Sequence, residues 1–263
     1  MKGLIVTADD FGAATEVNEA VERAHREGIL TAASLMVSAP AAADAVARAK
    51  AMPKLRVGLH LTLVDDRPTL PAAQIPGLVD SDGMFRSDMA RAGAAIFFLP
   101  SVRKQLAAEI EAQFKAFAAT GLTLDHVNTH KHFHLHPTIA SLMFKIGARY
   151  GMNATRVPFE TNNPFAQHLR RTYRAKGMRV ADRVYGLKWS GAMTTDRLGS
   201  ILGALPDGLN EIYMHPATGP YPSSAEGYRY PEELAALTAP QNIEIIKSSG
   251  MVCGGFADFA AAQ

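Results

Sequence analysis

The stretch Leu4-Ile5-Val6-Thr7-Ala8-Asp9-Asp10-Phe11-Gly12 sets the reading of the whole chain. Leu4, Ile5 and Val6 are a short buried-strand signal, and the run passes directly into two aspartates and a glycine. Working outward, residues 15–28 read as a helix, with Thr15 as its cap, Val17, Ala20, Val21 and Ala24 as an apolar stripe, and Gly28 as its stop. Residues 30–38 are β-like and 41–51 form an Ala-rich helix. Residues 55–64 read as a strand that puts Arg56, Gly58, His60 and Thr62 on one face and Val57, Leu59, Leu61 and Leu63 on the other. A Pro-rich excursion over 67–83 precedes a strongly periodic helix at 102–119. Residues 124–130 return to β, and a helix follows Pro137 over 138–150. Short strands are expected at 153–157 and 211–214, one helix at 231–249, and a last strand at 251–256. Strands alternating with helices of this length predict βα units, a parallel sheet and the α/β class. No fixed-period repeat and no dividing linker interrupts the chain, so residues 1–263 are expected to form a single domain.

Composition narrows the function. At 48% hydrophobic and 20% charged residues, the 263-residue chain is neither disordered, collagen-like nor a coiled coil. Lys+Arg 27 against Asp+Glu 25 leaves a net charge of +2, too balanced to predict a nucleic-acid partner. The single Cys253 excludes an internal disulfide and a Cys-rich zinc module, and fits a reducing compartment. The longest apolar run, residues 92–100, falls far short of the roughly 20 residues of a membrane span. Two aspartates also arrive where a signal peptide's apolar stretch would continue. A cytoplasmic protein is expected.

The polar residues suited to chemistry are Asp9, Asp10, His60, His130 and His215, each near the C-terminal end of a predicted strand, where parallel α/β folds build their sites. Two carboxylates at a strand end can reach one pocket if the backbone turns there, one as a hard metal ligand and the other as a proton acceptor. The same pair could instead cap a helix or form a turn. Histidines 130, 132, 134 and 136, with His126 upstream, have period-2 spacing, which on an extended segment points them the same way. A divalent ion rarely takes all its ligands from consecutive positions of one strand, so most of these rings are expected to be structural. Asp10, His60 and one histidine of the cluster would make a metal triad with open coordination positions, the arrangement of a catalytic site.

Four motifs, Thr7-Ala-Asp-Asp-Phe-Gly12, Gly58-Leu-His-Leu61, the run from Asn128 through Thr-His-Lys-His-Phe-His to Pro137, and Glu211-Ile-Tyr-Met-His-Pro216, resemble the ChbG/HpnK (YdjC-like) carbohydrate deacetylases, in family order and across nearly the whole chain. Residues 156–160 and 181–191 look most like the hopanoid-associated HpnK branch. The resemblance implies a distorted, incomplete (β/α) barrel that removes an acetyl group from an N-acetylated amino sugar. It implies one divalent ion, Mg²⁺ or Zn²⁺, held by Asp10, His60 and His130, with Asp9 as general base. Lys131 stands where some relatives have another histidine. For the departing amine His215 is the candidate acid. Arg156 is a candidate to orient Asp9 or hold substrate, and Trp189, Tyr185 and Tyr228 are candidate sugar platforms. A metal-dependent phosphoesterase and a non-catalytic metal- or sugar-binding module are the competing readings. If the hopanoid likeness holds, the substrate is lipid-linked at the inner face of the membrane. Residues 92–100, flanked by Arg91, Arg103 and Lys104, would then be either a peripheral membrane contact or a buried lead into the next helix. A homodimer is compatible with the sequence.

Overall fold

The computed structural model describes residues 2–161 and 163–259. The opening stretch forms β1 (Lys2–Phe11), central in a parallel sheet that has seven strands among the described residues. On one side follow β2 (Ala32–Leu35), β3 (Arg56–Leu61) and β4 (Leu124–Thr129); on the other lie β6 (Gly208–Met214) and then β5 (Arg183–Tyr185). The short β7 (Val252–Cys253) pairs with Gly3 and Leu4 of β1, just before β2 takes over at Thr7.

Helices cover the outer face of this sheet: α1 (Thr15–Glu27), α2 (Ala42–Lys50), α3 (Met89–Phe98), α4 (Pro100–Ala119) and α5 (Pro137–Gly147) in the first half, then α6 (Pro164–Ala175), α7 (Thr195–Ala204), α8 (Tyr230–Thr238) and α9 (Pro240–Ser249). Alternation along β1 divides the burial between two environments. Leu4, Val6 and Ala8 join the main core under the helices, whereas Ile5 meets Ala32, Ala154 and Phe256 in a small apolar plug. Above that plug the same inward-facing rows turn polar: Thr7, Asp9, Ser34, His60, His126, Asn128, Arg156 and Glu211 are all buried. So much polar surface can be buried only if it is mutually hydrogen-bonded.

The sheet curls into a distorted, incomplete barrel, and the gap has a definite place. Residues 153–157, expected as a strand, make only single bridges, Val127 to Thr155 and Ala154 to Arg179, both parallel. They are held by Val127 N–H to Ala154 O (3.0 Å), Thr155 N–H to Arg179 O (3.0 Å) and Arg179 N–H to Asn153 O (2.7 Å). The chain then continues from Arg179 to β5 at the opposite edge, so the wall is laced shut by isolated bonds rather than by a strand.

Other expectations need correction. Ala14, in extended backbone, occupies the cap position of α1 with no side-chain bond, and Thr15 is the first helical residue. The helix expected over 231–249 is two helices, because Ala239 adopts φ −64°, ψ 126° ahead of Pro240, a residue that disfavours α backbone before it. Between Val157 and Gly208 the apolar pattern predicts nothing regular, yet α6, β5 and α7 form there. In the run 92–100, Ile96 is buried as a core residue would be, but Phe97, Phe98 and Leu99 are 51%, 72% and 50% exposed.

Candidate active site

At the end of β1 the ladder with β2 shifts register between Ala8 and Phe11, and Asp10 takes a left-handed φ of 63°. Neighbouring side chains of a regular strand point to opposite faces; this turn brings both aspartates to one cleft. Buried Asn18 holds the turn, accepting from Gly12 N–H (2.8 Å) and donating to Ala41 O (3.0 Å).

Two imidazoles converge on Asp10. Its Oδ1 lies 3.2 Å from His60 Nε2 and 3.1 Å from His130 Nδ1, and the three ligand atoms lie within 4.8 Å of one another. His60, at the end of β3, sets its other nitrogen, Nδ1, 2.7 Å from Asn128 Oδ1. That bond fixes the tautomer with the hydrogen on Nδ1 and leaves Nε2 free as a ligand, as metal-binding histidines are usually held. One carboxylate and two imidazoles, with space on the cleft side, fit a divalent ion with open positions.

Asp9 has a different set of partners. Arg156, wholly buried, donates through Nη1 to Oδ2 (2.5 Å) and through Nη2 to Oδ1 (3.0 Å). Its Nε also donates to Glu211 Oε1 (3.0 Å), and its guanidinium lies 4.2 Å from the centre of the Tyr213 ring. Burial alone would raise the Asp9 carboxyl. The Arg156 charge, aided by His60 and His215, overrides that and holds it far below the usual carboxylate range. Arg156 therefore positions Asp9 from beneath and is sealed from the cleft, so it does not line a substrate surface.

The His-rich run is not extended. β4 ends at Thr129, and Lys131 and His132 have left-handed φ values of 52° and 54°, which send successive rings in different directions. His130 faces Asp10. His132 Nε2 meets the Tyr213 hydroxyl at 2.9 Å, and its Nδ1 is buried with no hydrogen-bond partner among the described residues. His134 turns inward, between Thr129 Oγ1 (2.7 Å) and Arg156 O (2.8 Å), where burial pushes it down to about 4. His136 reaches Gly93 O at 3.1 Å. Same-face spacing thus fails because the backbone leaves the strand after its first histidine.

His215 borders the same cleft, of about 450 Å³, just after β6. Its backbone N–H donates to Glu233 Oε2 at 2.5 Å, and its ring stands edge-on to Tyr228. Tyr228 lines the cleft, but Trp189 and Tyr185 border a separate shallow depression. There the Arg197 guanidinium sits 3.9 Å from the Trp189 ring centre. Sequence reasoning assigned no role to Ser34, His126, Asn128 or Glu211; the signal available was a polar residue at an inward position of an otherwise apolar strand.

Fold and site together define a parallel α/β barrel protein with a carboxylate–imidazole cluster at the C-terminal ends of its strands. The chain belongs to the YdjC-like protein family, whose profile matches residues 3–248. It is 32% identical over 251 residues to a carbohydrate deacetylase of Geobacillus stearothermophilus, covering 94% of each chain. With a carbohydrate deacetylase of Vibrio cholerae serotype O1 it shares 28% over 248 residues, 92% of this chain and 90% of the other. Among solved structures, a protein of Enterococcus faecalis V583 described as a candidate cellobiose-phosphate cleavage protein superposes with a TM-score of 0.83 at 24% identity, over 98% of this chain and 99% of that one. That likeness speaks for the fold.

Proposed function

We propose that the protein is a carbohydrate deacetylase that hydrolyses the acetamido group of an N-acetylated amino sugar, the whole 263-residue chain working as one domain. Its relatives' activity supports this reading, and one observation carries it: adjacent aspartates open on one cleft, Asp10 toward two imidazoles and Asp9 toward Arg156. Asp10, His60 and His130 would hold one divalent ion, Mg²⁺ or Zn²⁺, which when bound polarises the amide carbonyl and makes the attacking water more acidic. Asp9, kept ionised by Arg156, accepts the proton of that water. His215, on the lining of the same cleft, supplies a proton to the departing amine, which cannot leave as an anion. Asp65 and Asp66 also line the cleft, Asp65 paired there with Lys131.

The test separates ligand from base. His60→Ala is expected to lose zinc binding in calorimetry together with acetate release, whereas Asp9→Asn keeps the ion and loses turnover. Retention of more than about a tenth of wild-type kcat in Asp9→Asn removes the base assignment, since general bases contribute roughly 10²–10⁴-fold.

A finer reading puts the sugar on a membrane-resident, hopanoid-type lipid. Exposed Phe97, Phe98 and Leu99 beside exposed Arg91, Arg103 and Lys104 suit contact with an anionic bilayer surface. Replacing Phe97 and Phe98 by Ser is expected to spare activity on a soluble sugar and abolish it on lipid-linked sugar in vesicles. Equal vesicle activity would sink this reading.

A further inference from the structure

A buried chain of side chains reaches Asp9 through the barrel interior and has no part in the roles above. Asp125 accepts from Ala257 N–H at Oδ1 (2.8 Å) and from Phe256 N–H at Oδ2 (3.1 Å), and Oδ2 lies 2.8 Å from His126 Nδ1. His126 Nε2 is 2.9 Å from Ser34 Oγ, and Ser34 Oγ is 3.0 Å from Asp9 Oδ1. Asp125, His126 and Ser34 are 3%, 1% and 0% exposed, so none of them meets substrate.

We propose that Ser34, His126 and Asp125 are positioning residues for Asp9, and that they select its Oδ2 as the oxygen that takes the proton. The inference rests on the reading of Asp9 as the base. A carboxylate oxygen offers about two lone-pair sites. Oδ1 faces three donors: Ser34, Asn128 Nδ2 at 3.1 Å and Arg156 Nη2 at 3.0 Å. Among the described residues Oδ2 faces only Arg156 Nη1. Oδ1 is therefore saturated, and a proton arriving there must displace a donor, whereas Oδ2 keeps room for one.

The direction of each bond follows from the same accounting. The Asn128 amide has two hydrogens, one for Asp9 and one for Ser34 Oγ at 3.0 Å. The Nδ1 hydrogen of His126 goes to the Asp125 carboxylate, its Nε2 stands 2.9 Å from Ser34 Oγ and holds that group in place, and the Ser34 hydroxyl donates to Asp9 Oδ1.

Space for the chain is built into β3. A Cβ placed on Gly58 would lie 2.5 Å from His126 Cε1 and Nε2, well inside contact distance, and the Phe256 ring also packs on the imidazole, centres 5.4 Å apart. Gly58 does not have a left-handed backbone. Its lack of a side chain is required by the imidazole that lies across it.

Acetate release from a soluble N-acetylglucosamine oligosaccharide by the zinc-loaded enzyme tests the proposal. Ser34→Ala is expected to lower kcat about 10–100-fold, as loss of one hydrogen bond to a charged group does, with KM and zinc affinity unchanged. His126→Phe and Gly58→Ala should follow it, and His126→Gln, whose amide can still hydrogen-bond Ser34, should recover part of the rate. In an Asp9→Asn background Ser34→Ala should cost nothing further, because its effect passes through Asp9. A multiplicative loss in that background, or a change confined to KM, overturns the proposal. If Asp9→Asn is inactive while Ser34→Ala is fully active, the positioning role alone falls. If Asp9→Asn is itself fully active, the base reading falls and this inference with it.

Discussion

Replacing Arg156 by Met tests how the polar interior is held. The guanidinium is fully buried and donates twice to Asp9 and again to Glu211, so its removal leaves two buried carboxylates without their principal countercharge. Removing one partner of a buried ion pair costs roughly 3–5 kcal/mol, a large share of the about 5–15 kcal/mol that stabilises a typical domain. The loss should depend on pH. In the wild type, Asp9 has a folded pKa below its unfolded value of 3.8, so its contribution is present above that value and lost as pH falls. In the variant, burial instead raises the Asp9 carboxyl, which then penalises the folded state above that same value. The gap between the two proteins is therefore widest near neutrality and narrows toward pH 4. Urea denaturation followed by circular dichroism at pH 7 and pH 4.5 measures both quantities. Adding Glu211→Gln to the variant should recover part of the loss, because one stranded charge disappears. A loss below about 1 kcal/mol at pH 7, the range of an exposed ion pair, or a gap that stays constant with pH, would refute the reasoning.

Two further predictions concern parts of the fold that support the cleft. His134 is held neutral by burial, with its pKa lowered from 6.5 to about 4. Its contribution to stability is complete above pH 6.5 and lost as pH falls toward 4, about 3 kcal/mol in all at 1.36 kcal/mol per unit; His134→Gln should flatten that part of the stability curve, and identical acid slopes would contradict the assignment. Buried Glu109 of α4 accepts from Thr69 N–H (2.8 Å), Leu70 N–H (2.9 Å) and Gln113 Nε2 (2.8 Å), and so ties the excursion that carries Asp65 and Asp66 to the helix. Glu109→Leu orphans three donors, at about 1–3 kcal/mol for each one left buried, and should speed limited proteolysis within residues 66–85; an unchanged cleavage rate would show that the excursion is anchored elsewhere.

Much of this architecture was legible from local pattern. Leu4-Ile5-Val6 signals a buried strand whatever its partners are, and Asp9, Asp10, His60 and His130 stand at strand ends because that is where the apolar runs stop. What could not be read depends on contacts distant in the chain. Arg156 follows a segment that pairs through single bridges, so periodicity neither marks a strand there nor reveals that the side chain points inward to Asp9, 147 residues away. The divergence of the histidines after His130 rests on left-handed backbone at Lys131 and His132, and a lysine in that conformation carries no signal in the sequence. Ser34 looked like an ordinary small strand residue until His126, 92 positions on, supplied its partner.

The single-bridge seam between β4 and β5 has a mechanical consequence. A parallel wall carries load through its regular ladder of backbone bonds, and here that ladder thins to isolated rungs at Val127–Thr155 and Ala154–Arg179. Arg156 leaves the chain one residue after Thr155 and spans the interior to Asp9 on β1 and Glu211 on β6. It acts as a tie-rod between the weakest part of the wall and two of its central strands, so the charge that tunes the base also keeps the arch from spreading. Any change that slackens the seam would therefore reach Asp9 directly, which couples the rigidity of an outlying segment to the acidity of the central carboxylate.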